Sequence, residues 1–168
     1  MLKLLSLLPK GVTKRLVHRQ ALIRNPFSLG VRVFVRDSGG DVLLVRHSYL
    51  PGWYLPGGGV DAGEVMADAA RRELHEETGI TATSTPHLLG VYLNREAFGR
   101  DHIGLFRVDR WERGQGYLQA NAEILEARFF KLDGLPEDTT PATVRRLAEL
   151  SDGTLSSAPD LPTHGGYW

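Results

Sequence analysis

Four glutamates, an arginine and a set of glycines fall between Gly58 and Ile80, in GGVDAGEVMADAARRELHEETGI, at spacings that suit phosphate bound through a metal ion. On an α-helix Glu73, Glu76 and Glu77 stand at i, i+3 and i+4, so their carboxylates share one face within a single turn. Left alone, an i,i+4 pair of like charges costs roughly 0.2–0.5 kcal/mol, and lysines on the same face usually answer it. Here the neighbours on that face are Met66, Ala69 and Ala70. A hard divalent cation held by carboxylate and water oxygens, together with a substrate phosphate, suits this cluster. The competing reading is a charged, solvated helix face ended by a glycine cap.

The segment fits the pattern G-x5-E-x7-R-E-U-x-E-E-x-G-U, with U aliphatic, at every specified position from Gly58 through Glu64, Arg72, Glu73, Leu74, Glu76, Glu77 and Gly79 to Ile80. In this the chain resembles the Nudix hydrolase family, closely over the box and more loosely over residues 29 to 135. The resemblance implies an α/β fold, an α/β/α sandwich with a mixed β-sheet. It also implies an enzyme that cleaves a pyrophosphate bond in a nucleoside diphosphate-linked or nucleoside triphosphate substrate, using water and Mg²⁺ or Mn²⁺. Carried over by position, Glu73, Glu76 and Glu77 are expected to bind the metals, with Glu76 or Glu77 also handling the attacking water. Arg72 is expected to orient the glutamates, and Glu64 to support the loop and its arginine. Gly57, beside Gly58 and Gly59, is a candidate to offer a backbone carbonyl to the metal. One further acid after the box is expected from the resemblance, and Glu123 is the candidate, with Glu126 behind it; an ordinary strand-edge role is the alternative for each.

Substrate choice lies outside the box. Arg46, His47, Tyr49 and Trp53 crowd just before it and have the chemistry to stack on a base or bind a phosphate. Arg95, Arg100 and His102 are expected on a loop and strand facing the same cleft. Arg46, Tyr49, Arg95 and Arg100 are the substrate-binding candidates. No subfamily mark for coenzyme A, ADP-ribose or dinucleoside polyphosphates is recognisable.

The elements that must position these groups follow from patterning. Leu29 to Arg36 alternates apolar and basic residues, DSGGD is turn chemistry, and Val42 to Arg46 is a second apolar run, which reads as a β-hairpin. A short strand at 53–55 leads into the glycines, and a helix is expected over 64–78 with Ala67, Ala70 and Leu74 as its buried stripe and Gly79 as cap. Strands are expected near 87–94, 102–110 and 125–132, and a last helix over 141–150, with Pro141 at its first position.

At 168 residues, 42% of them hydrophobic, the chain has room for one core of ordinary size. The expected organisation is a basic N-terminal helix or arm over 1–24, a hydrolase domain over 25–150 and a tail over 151–168. Formal net charge is zero, which gives no electrostatic argument for nucleic acid or an anionic membrane. The absence of cysteine excludes disulfides and thiolate chemistry and is compatible with a reducing, cytoplasmic location. The apolar start is broken by Lys3 and stopped by Pro9, so packing or assembly, with a homodimer the expected oligomer, is favoured over membrane targeting. The expected partner is a small nucleotide-derived molecule. The alternatives are an RNA 5′-end pyrophosphohydrolase, which a neutral chain without a long basic strip disfavours, and a non-catalytic nucleotide-sensing domain, which would be expected to lack box glutamates.

Overall fold

The structure is a computed structural model that describes residues 27–94, 100–151 and the backbone of a short strand at 166–167. The basic N-terminal arm, Arg95 and most of the C-terminal tail lie outside the described residues. The strands are β1 (Ser28–Val35), β2 (Val42–His47), β3 (Ile80–Ala82), β4 (His87–Asn94), β5 (Asp101–Val108), β6 (Trp111–Arg113), β7 (Ile124–Phe130) and β8 (Gly166–Tyr167). The helices are α1 (Met66–Thr78) and α2 (Pro141–Ser151). A mixed sheet runs in the order β1-β5-β4-β8, with β1 and β5 parallel and β4 antiparallel to β5. Two antiparallel pairs, β2 with β7 and β3 with β6, complete the strands.

The period of two along the strands builds two cores. Val31, Val33, Val35, Leu43, Phe106 and Val108 turn to one side and bury Ala69, Ala70 and Leu74 of α1. Phe34, Val42, Leu44, Leu89 and Leu105 turn to the other and meet Leu147 of α2. Helices therefore cover both faces of the strands, the sandwich expected from the sequence.

The expected hairpin is corrected. The turn is present, with Asp37 accepting from the amides of Gly39 and Asp41 at 2.9 Å, and Arg36 and Val42 form a single bridge. Beyond it the strands part: β1 pairs with β5 over its whole length, and β2 pairs with β7. The reason is burial on both sides. Val42 to Val45 are all fully buried, and such strands belong inside a layered fold rather than on a half-solvated ribbon. The buried stripe of α1 is Ala69, Ala70 and Leu74, with Ala67 only half-buried.

Candidate active site

Helix α1 starts at Met66, two residues later than patterning suggested, and the preceding loop is tied to it by charge. Arg72 donates Nε and Nη2 to the two carboxylate oxygens of Glu64 at 2.8 and 2.9 Å, a forked pair. Its Nη1 reaches Glu73 at 2.7 Å and Glu76 at 3.3 Å, and Nη2 also reaches the Gly59 carbonyl at 2.9 Å. One guanidinium thus ties the Gly59 carbonyl to Glu64, Glu73 and Glu76. Its hydrogen bond, with that from the Asp61 amide, holds the Glu64 carboxyl down at about 2.

The three helical glutamates share a face but not an environment. Glu76 is largely exposed, with 58% of its side chain open. Glu73 lies against the glycine loop: a Cβ at Gly58 would stand 2.6 Å from its carboxylate and would push that carboxylate aside. Glu77 is buried and accepts the Gly57 amide at 2.7 Å. Burial pushes its carboxyl up to about 8 against the opposing pull of that amide and of Arg32. Burial also raises the Glu73 carboxyl, despite Arg72.

Two residues before the box complete this surface. A bulge in the β2–β7 ladder at Arg46 and His47 turns His47 inward, where it is 3% exposed. Its Nδ1 stands 3.7 Å from Glu77 Oε1, beyond a hydrogen bond, and neither ring nitrogen has a partner among the described residues. Burial, then the charge of Arg32, lower its pKa to about 4, so at neutral pH the imidazole is uncharged and the contact is no ion pair. Arg32 was not singled out by the sequence. It donates Nη1 to the carbonyls of Leu55 at 3.0 Å and Gly57 at 2.6 Å, and its charge faces Glu77 and Glu73. The Gly57 carbonyl, a candidate metal ligand, therefore already accepts one hydrogen bond.

Glu123 stands exposed just before β7, and its charge raises the carboxyl of Glu77 and the hydroxyl of Tyr49. Asn121 holds it there: its Oδ1 accepts the amides of Glu123 and Ile124, and its Nδ2 donates to the Glu76 carbonyl at 3.0 Å. Glu126 lies opposite Arg46 in the β2–β7 ladder, 3.8 Å from Arg128. Among the described residues no three or more His, Cys, Asp or Glu side chains stand together closely enough to hold a metal ion by themselves. The donor set is nonetheless one of hard oxygens around a glycine-lined hollow, which suits a cation that keeps several waters and shares its shell with phosphate.

The remaining candidates are spread more widely. Tyr49 is 64% exposed and packs on His47, ring centroids 5.2 Å apart. Arg46 pairs with Asp138 and lies 5.6 Å over Trp53, whose ring is buried edge-on against Phe130. Trp53 is thus a core residue. The Arg100 side chain is exposed, its carbonyl accepting the Ser28 amide at 3.1 Å, and His102 packs near Phe27. A cleft of about 590 Å³ opens at Gly58 and Gly59 and is lined by Arg32, Tyr54, Asn94 and Asp101 among others. Ser28 and Asn94 donate to the two oxygens of Asp101 at 2.9 and 3.0 Å, so its carboxylate is fixed at the cleft wall.

The comparisons with known proteins agree with this geometry. The family model described as the NUDIX domain matches residues 26–150. The chain is 32% identical over 139 residues to an ADP-ribose pyrophosphatase of Methanocaldococcus jannaschii, covering 79% of this chain and 81% of that one. It is 34% identical over 113 residues to an RNA pyrophosphohydrolase of Brucella abortus, covering 54% of this chain and 62% of the relative. Among solved structures, a MutT NUDIX hydrolase from Burkholderia pseudomallei superposes with a TM-score of 0.62 at 25% identity, over 73% of this chain and 97% of that one. With the box complete and its arginine and glutamates in contact, the chain belongs to the Nudix family and is a Nudix pyrophosphohydrolase.

Proposed function

We propose that the protein cleaves the pyrophosphate linkage of a nucleoside diphosphate joined to a second moiety, with ADP-ribose the first substrate to try. The observation that carries this reading is the set of Glu73 and Glu76, braced by Arg72, and Glu77, held by the Gly57 amide, packed against the glycine loop whose Gly58 and Gly59 line the 590 Å³ cleft. That cleft has room for a group beyond the phosphates. The relative of M. jannaschii, matched over most of both chains, supports the choice of ADP-ribose.

Glu73, Glu76 and Glu77 would hold Mg²⁺ or Mn²⁺, with Glu123 and the Gly57 carbonyl as further donors. Such a cation, when bound, reduces the charge on pyrophosphate oxygens and makes a bound water more acidic. Glu76 or Glu77 takes the proton of the attacking water, and Arg72 keeps the carboxylates in place while it does so. Tyr49 and Arg46, which border a second hollow of about 450 Å³ with Leu125 and Asp138, are assigned to the substrate's outer part. Arg100, near the start of β5, and Arg95 are assigned to the same task.

The test is incubation with ADP-ribose, nucleoside triphosphates and 5′-triphosphorylated RNA, with products identified by mass spectrometry. AMP and ribose 5-phosphate released from ADP-ribose with Mg²⁺, and lost with excess chelator, are the expected result. Release of pyrophosphate from the RNA alone would favour the activity named for the Brucella relative. Turnover that survives excess chelator would sink the metal-dependent reading.

A further inference from the structure

We propose that Arg32 is a substrate-binding residue, its guanidinium grasping a non-bridging oxygen of the pyrophosphate in the cleft beside Glu73 and Glu77. This deepens the hydrolase reading and rests on it for the identity of the anion. Three observations converge on the residue. First, its place is fixed from both sides: the amides of Val31 and Val33 donate to the carbonyls of Gly58 and Pro56 at 2.9 and 2.8 Å, stitching β1 to the glycine loop. The approach is so close that a Cβ at Gly57, where φ is +142°, would stand 2.1 Å from the Val31 carbonyl oxygen. Second, the carbonyls of Leu55 and Gly57 both take the same nitrogen, Nη1. A strut for the loop needs no more than that nitrogen. Nε and Nη2 have no acceptor among the described residues, and the residue lines the cleft next to Gly58 and Gly59.

Third, the surroundings leave a cation at this point with work to do. Glu73 and Glu77 lie near enough for their charge to act on it, yet neither makes a hydrogen bond to it. A guanidinium offers its donors in a rigid plane that matches two phosphate oxygens, and it stays charged where a lysine would not. Tyr54, whose ring centroid lies 5.6 Å from the guanidinium carbon, limits the directions in which that plane can turn. Preorganised in this way, Arg32 gives the pyrophosphate a fixed positive partner on the strand side, opposite the carboxylate face of α1.

The experiment separates anion binding from catalysis. Methylenediphosphonate, which carries the pyrophosphate oxygens but cannot be hydrolysed, is titrated calorimetrically in Mg²⁺ into wild type, Arg32→Gln, Arg32→Lys and, as a control on the outer face of α1, Arg71→Gln. The expected result is saturable binding by wild type and Arg71→Gln, weakened on the order of tenfold or more in Arg32→Gln and partly recovered in Arg32→Lys. In ¹⁵N spectra of wild type, the Arg32 Nε–H signal is expected to move on adding the probe, a reading that needs no variant to fold. Unchanged affinity in Arg32→Gln, or an Arg32 signal that stays put while the probe saturates, would overturn the assignment and leave a loop strut. Loss of probe binding in Arg32→Gln alongside a wild type that hydrolyses none of the substrates tried would instead remove the proposed substrate class and keep the anion site.

Discussion

Glu76 and Glu77 are the same amino acid one position apart, and burial alone gives them different chemistry. Glu76 meets solvent and one long contact from Arg72, whereas Glu77 is closed in by Gly57, His47 and the Arg32 charge. Replacing Glu77 by Gln keeps shape and the amide contact but removes the charge. The expected outcome is a fall in kcat on the order of 10² or more in a steady-state assay with ADP-ribose, with little loss of thermal midpoint. Arg72→Lys tests the neighbouring principle. A lysine cannot fork to Glu64 while also reaching Glu73 and the Gly59 carbonyl, so kcat should drop more than tenfold while KM moves little. Equal activity of Arg72→Lys and wild type would count against the orienting role.

At the scale of elements, α1 carries the carboxylates and its far end decides how firmly they are held. Gly79 adopts a left-handed conformation (φ +66°), its amide donates to the His75 carbonyl at 2.8 Å, and a Cβ there would stand 2.6 Å from backbone atoms of Gly116 and Tyr117. Gly79→Ala should cost about 2 kcal/mol or more, because strain and collision coincide; a denaturant titration gives the number. The helix, its glycine cap and strand β4 were legible in the sequence because each has a strong local signal, whether period 3.6, period 2 or turn chemistry. The parting of β1 from β2 was not, since turn residues report a reversal of direction but not which strand will pair. Arg32 was hidden for a related reason: in an alternating strand a basic residue reads as solvent-facing until the glycine loop is known to lie across it. Asn121 was equally silent, because its three hydrogen bonds run to a helix end and a strand start that only the fold brings together.

For the molecule as a whole, the two cores place α1 and α2 on opposite faces, and among the described residues no helix is long and apolar enough to cross a membrane. Placing acidic groups against a buried face has a consequence for stability. The Glu77 carboxyl rises from an ordinary 4.5 to about 8 in the folded protein, and Glu73 moves the same way, because burial disfavours the ionised form. Below pH 4.5 both folded and unfolded chains hold the Glu77 proton, and the shift costs nothing. As pH rises from there to about 8 the unfolded chain releases that proton while the folded chain keeps it, so stability should fall across this window and level off above it. Metal-free protein should therefore melt at progressively lower temperature between pH 5 and pH 8, more steeply than Glu77→Gln does. If Mg²⁺ is held at Glu77 as proposed, it competes with the proton for the folded site, so adding it at pH 8 should raise the wild-type midpoint and flatten the slope. A wild type and Glu77→Gln with parallel pH profiles, each indifferent to Mg²⁺, would show that the buried carboxylate is not where the cation binds.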